Sequence, residues 1–114
     1  MKIIKHKNVI TKFNSTACKI TEYPFENESF DLSIAQINGR YPENDYCLNK
    51  ECDEIFLLTE GQVTLTKKGS QPETLTYGDS VFLNAGEAYF WNGNCRMVVS
   101  CSPAWNADQY KIIK

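Results

Sequence analysis

Residues 52–61 read Cys52-Asp53-Glu54-Ile55-Phe56-Leu57-Leu58-Thr59-Glu60-Gly61. An acidic pair leads into a four-residue apolar run, and the run closes on Glu60-Gly61, a dipeptide that favours a turn. The alternation Val63-Thr64-Leu65-Thr66 follows at once. Together these predict a strand and the first hairpin of a small β-barrel. Glu54 stands where its side chain can point into that barrel.

Downstream, turn residues recur at short, even intervals. Lys67-Lys68-Gly69-Ser70 links Val63–Lys67 to a strand at Glu73–Tyr77, and Tyr77-Gly78-Asp79 bends into Ser80–Leu83. Asn84-Ala85-Gly86-Glu87 then turns into Ala88–Asn92. Asn92-Gly93 reads as a tight two-residue hairpin leading to Cys95–Cys101, because both residue types tolerate positive φ. Upstream, the first dozen residues form a leading strand or arm, and Ala17–Tyr23 is a strand broken at Pro24. Ser29–Asn38 alternates, with Phe30, Leu32 and Ile34 on one face, and Gly39 and Pro42 end it. Many short strands with regular turns, and no sustained 3.6-residue period, indicate an all-β sandwich or barrel.

Length and composition set the bounds. At 114 residues and 42% hydrophobic, the chain is one domain, 1–114, with material for one core. Fourteen aromatic residues suit a pleated, half-buried surface. A net charge of −2 and a pI near 5.4 argue against a nucleic-acid partner, which calls for a clustered basic face. No apolar run reaches the ~18 residues that cross a bilayer as a helix. The start, Met1 to Lys7, lacks the apolar stretch of a secretion signal, so the cytoplasm is the expected compartment. Five cysteines without Cys-x-x-Cys spacing are expected to be reduced and buried.

Two spacings resemble those of the cupin superfamily. Glu54 and Gly61 match the end of its first motif, His-x-His-x4-Glu-x6-Gly. Gly78, followed by Asn84-Ala85-Gly86-Glu87-Ala88-Tyr89, resembles the second, Gly-x5-Pro-x-Gly-x-x-His-x3-Asn. The exit Cys101-Ser102-Pro103-Ala104-Trp105 is similar to that of small single-domain members. The resemblance spans about residues 39–105 and implies a jelly-roll β-barrel that pairs into a homodimer.

The usual metal ligands are replaced. Counting back from Glu54, the motif histidines fall on Cys47 and Asn49; the third falls on Tyr89, and the motif proline on Asn84. His6, the sole histidine, lies outside both motifs. One carboxylate, an amide, a thiol and a phenol make a weak set for a first-row divalent ion, so no metal and no cofactor are expected. If the cupin register holds, strand alternation turns Cys47, Asn49, Glu54, Tyr89 and Trp91 into one ligand-binding cavity, with Leu48 and Phe90 facing away.

Glu54 can then serve as a general base or substrate anchor, with its pKa raised by a dry barrel. Equally, it can bond to Asn49 or Tyr89 and fill the space of a lost metal. Tyr89 is a candidate acid or a packing tyrosine with a satisfied hydroxyl. Cys47, with no histidine beside it, reads as inert. Three functions follow in order: a metal-free barrel that binds a small molecule and has lost catalysis; a metal-independent sugar isomerase or epimerase using Glu54 and Tyr89; and a metal-dependent oxygenase or isomerase with divergent ligands.

Overall fold

Alternating apolar residues need a partner sheet face to bury against, and this chain supplies it by curling one antiparallel sheet onto itself. The computed structural model describes residues 1–114. Nine strands form the sheet: β1 (Ile10–Ser15), β2 (Cys18–Glu22), β3 (Ser33–Tyr41), β4 (Tyr46–Asn49), β5 (Asp53–Lys67), β6 (Glu73–Thr76), β7 (Ser80–Leu83), β8 (Tyr89–Ser102) and β9 (Tyr110–Ile113). The only helical pieces are two single 3₁₀ turns, His6–Asn8 and Ala107–Gln109. The chain is the jelly-roll type of β-barrel that the motif spacings imply. No helix is long and apolar enough to cross a membrane.

β8 is the central strand. Along one edge it pairs with β3, from Ser33↔Val99 to Tyr41↔Trp91, and then with β4 through Cys47↔Tyr89. Along the other it pairs with β5, from Asp53↔Ser102 to Lys67↔Tyr89. β1 and β2 extend the β3 side, β9 continues from β4, and β6 and β7 pair with the two halves of β5. β8 buries its odd-numbered residues Tyr89, Trp91, Cys95, Met97, Val99 and Cys101. In β5 the buried set changes phase, from Glu54, Phe56 and Leu58 to Val63 and Leu65. A register shift between Leu58 and Glu60 causes the change: a bulge adds one residue, so both halves keep an apolar inner face. All five cysteines are free and buried.

Three local expectations are corrected. Glu60-Gly61 is no turn, because β5 runs through it. Asn92-Gly93 is no hairpin either, since both residues lie inside β8. The two glycines serve the contact between these strands: a Cβ on Gly61 would lie 2.1 Å from the Asn94 carbonyl oxygen, and one on Gly93 2.6 Å from that of Gln62. Side chains would force the backbones apart. Finally, the alternator at 29–38 begins only at Ser33 and passes through Gly39 to Tyr41. Its inward residues are Ala35 and Ile37; Phe30 and Leu32 precede it and are exposed. The turns at 67–70, 77–79 and 84–87 stand where the sequence puts them.

Candidate functional site

β4 is four residues long, and its alternation decides what the barrel interior receives. Cys47 and Asn49 are buried, while Tyr46 and Leu48 are half-buried. β5 begins with Glu54 turned inward, opposite Leu83 of β7 and Cys101 of β8. Tyr89 and Trp91 start β8 on the same inner face. These residues meet at a cavity of about 320 Å³ whose walls include Phe56, Trp91, Met97 and Val99.

The polar groups of this cavity are bonded to one another. Glu54 Oε1 accepts from Asn49 Nδ2 at 2.8 Å and from the Tyr89 hydroxyl at 2.8 Å. Glu54 Oε2 has only the Cys101 thiol, at 3.5 Å. The indole Nε1 of Trp105 donates to Asn49 Oδ1 at 2.7 Å. Edge-on packing of Tyr89 against Trp91, with centroids 6.0 Å apart, fixes the phenol ring. A buried carboxyl with three donors is thus held at the floor of an apolar room.

Burial governs its electrostatics. It pushes the Glu54 carboxyl above its ordinary range; the bonds from Tyr89, Cys101 and Asn49 pull it back in part, and the Asp31 charge adds to the rise. Burial raises Tyr89 well above the usual phenol value, reinforced by the neighbouring Glu54 charge. Tyr89 therefore stays protonated at neutral pH and acts as a donor. Cys47 is pushed up to about 11, first by burial, so its thiol is no nucleophile.

Of the five residues expected to converge, Asn49, Glu54, Tyr89 and Trp91 line the cavity. Cys47 is buried at 1% exposure but is not among the lining residues. It sits against the hydroxyls of Tyr89 and Tyr110, a layer behind the wall. His6 is exposed on its 3₁₀ turn. Four participants carry no signal in the motif spacings: Asp31, Cys101, Trp105 and Tyr110 all line the cavity. Tyr110 bonds to the Tyr41 hydroxyl at 2.9 Å. The Pro103-Ala104-Trp105 exit was the one clue to Trp105; nothing local marks Asp31.

The cupin fold raises the question of a metal, and the donor set does not fit one. No three His, Cys, Asp or Glu residues gather where an ion could be held. Asn49, in place of a motif histidine, turns its NH2 group toward Glu54 and spends its oxygen on Trp105. An amide nitrogen that is already donating has no lone pair to offer a cation.

The profile of the EutQ-like cupin domain matches residues 42–106, more than half of the chain. The chain belongs to the EutQ-like cupin family. No curated protein sequence matches this cupin. Among solved structures it is similar to Streptomyces Pac13 seen with uridine, with a TM-score of 0.88 at 14% identity over 100% of this chain and 91% of that one. Pac13 is described as a nucleoside dehydratase. The polyketide cyclase RemF of Streptomyces resistomycificus gives 0.77 at 13%, over 100% and 86% of the two chains. Ectoine synthase of P. lautus gives 0.74 at 15%, over 100% and 91%. At these identities the likeness concerns the fold of this cupin.

Proposed function

We propose that this cupin binds a small, uncharged organic molecule inside its barrel without a metal. The observation that carries the reading is an apolar cavity with a single buried carboxyl cluster at its floor. Such a composition, apolar walls with a few placed polar groups, is that of a small-molecule site. The charges around the cavity narrow the ligand. Lys12 is the one cation lining it, and it is engaged with Glu22 at 3.2 Å and over the Trp105 ring at 5.1 Å. Glu22, Glu26, Asp31 and Glu54 also line it. A phosphate or carboxylate ligand would meet carboxylates and no free partner.

A second reading, a metal-independent isomerase, epimerase or related lyase, is favoured by the 2.8 Å bond between Tyr89 and Glu54 beside open space. In it Glu54 takes a proton through Oε2 while the Tyr89 hydroxyl steadies Oε1. A carboxyl whose pKa is raised by burial suits that role. The likeness to enzymes such as Pac13 agrees with this reading without selecting a substrate. The same proposal takes the protein to be a cytoplasmic homodimer with no nucleic-acid partner. Five free thiols suit a reducing compartment, and the exposed Ile55, Leu57 and Phe82 supply an apolar outer face.

Uridine and its 5′-phosphate are suitable probes, titrated calorimetrically after dialysis against EDTA. The neutral nucleoside is expected to bind more tightly by about tenfold, or ~1.4 kcal/mol, because the phosphate meets carboxylates without a free cation. Tighter binding of the phosphate, or binding of uridine only after a divalent metal is restored, would overturn the reading.

A further inference from the structure

Residues 23–32 connect β2 to β3, and Tyr23, Phe25, Phe30 and Leu32 line the cavity on the way. This connection is strapped to the end of β8 and the residues after it. Asp31 N donates to Cys101 O at 3.0 Å, and Ser100 Oγ to Asp31 O at 2.6 Å. Ser102 Oγ donates to Ser29 O at 2.8 Å. The Asp31 carboxylate spends both oxygens on backbone: Oδ1 accepts from Cys101 N at 2.7 Å, and Oδ2 from Trp105 N at 2.9 Å.

From Trp105 the chain of bonds continues inward. An indole N–H can only donate, so the Asn49 atom that meets it must be the carbonyl oxygen. The Asn49 NH2 is thereby aimed at Glu54 Oε1, which the Tyr89 hydroxyl also occupies. Oε1 is saturated, and Oε2 faces a thiol alone.

We propose that Asp31 and Trp105 are positioning residues: Asp31 seats the Trp105 backbone, and the indole N–H orients the Asn49 amide so that Glu54 presents Oε2 to the ligand. This deepens, and rests on, the reading of Glu54 as the polar group that meets the ligand. A strap that merely closes the barrel would hold the loop equally well but would leave the Asn49 amide and the Glu54 carboxyl indifferent to the indole nitrogen.

The difference can be measured in the ligand-free, full-length protein. Glu54 is titrated by carbon NMR of its carboxyl, assigned with Glu54→Gln. The ionisable groups facing it are Tyr89 and Cys101 from β8, Cys47 from β4, and Asp31 from the strap. Trp105→Phe keeps a ring and removes the N–H, which frees the Asn49 amide to leave the carboxylate. The Glu54 pKa is expected to rise, because an anion loses a donor. Asp31→Asn offers one amide oxygen for two backbone N–H groups. It also removes a negative charge, which alone would lower the Glu54 pKa; a rise therefore reports positioning and not charge. Side-chain amide exchange at Asn49 should quicken about tenfold in both, the loss of one buried hydrogen bond. An unchanged Glu54 titration in Trp105→Phe, or Asn49 amide exchange left at the wild-type rate in Asp31→Asn, overturns the proposal. Should Asp31→Asn not fold, Trp105→Phe decides alone. Because no ligand is added, failure of every probe compound would count against the proposed function and leave this result standing.

Discussion

Glu54 turns inward at the start of β5, where water is scarce and three donors surround it. Its carboxyl is held above the ordinary value, mainly by burial, so folding favours the protonated form. The sign of the linkage follows: this contribution is fully present below the unfolded carboxyl pKa, and is lost as pH rises through the folded one. Each unit of elevation removes about 1.4 kcal/mol from stability above that range. Glu54→Gln keeps an oxygen for Asn49 and Tyr89 but cannot ionise. The variant is therefore expected to match wild type near pH 4 and to melt higher than wild type near pH 8, by denaturation followed with circular dichroism. Parallel pH–stability curves would mean that Glu54 is not held up by its surroundings. Within the site, Glu54, Asn49, Tyr89 and Trp91 could be found from sequence because strand parity and motif spacing agree. The spacing says nothing of Asp31, whose partners are backbone N–H groups some seventy residues away. Nor does it say that Cys47, though buried, lies behind the wall.

Strand against strand, the tightest contact is between β5 and β8 around Gly61 and Gly93. A Cβ on Gly93 would meet Gln62 O at 2.6 Å and Val63 Cα at 2.8 Å, and its φ is +152°. Both neighbours are backbone in a paired strand and cannot step aside. Gly93→Ala is expected to cost about 2–3 kcal/mol, the range for overpacking with added strain. Gly78→Ala, with φ +86° and nothing within 4 Å, should cost only about 1–2 kcal/mol for the left-handed backbone. Urea unfolding of the two variants compares them directly, and a cheaper Gly93→Ala would mean that the strands have room. These glycines also explain where the sequence misleads. Glu60-Gly61 and Asn92-Gly93 have turn composition, yet their glycines answer a demand for close approach between strands far apart in sequence. The bulge near Thr59 hides the unity of β5 in a second way, because alternation changes phase there. Turns at 67–70, 77–79 and 84–87 were legible, since each is closed by local bonds such as Ser70 N to Lys67 O and Glu87 N to Asn84 O. Phe30 and Leu32 alternate like a core strand but belong to the strap at the cavity mouth.

At the scale of the molecule, a barrel measuring 42 × 28 × 24 Å keeps one apolar face uncovered. Ile55 and Phe82, directly opposite one another on β5 and β7, are each 53% exposed, and Leu57 beside them is 44% exposed. The proposed homodimer would cover this face. Sedimentation should then give twice the 13.0 kDa chain mass for wild type and one chain mass for Ile55→Lys with Phe82→Lys. A wild-type protein that sediments as one chain removes the dimer from the proposal. The sulfur atoms carry a different consequence. Cys47 and Cys52 are each 1% exposed, and neither lines the cavity. A bulky thiol reagent can reach them only when the fold opens, so their rate of modification is the thiolate's own reactivity scaled by the open fraction. Cys47 lies within β4 and Cys52 in the link from β4 to β5, so each reports on opening at its own position. The protein carries a pair of internal stopwatches for its own breathing, wound by nothing more than burial.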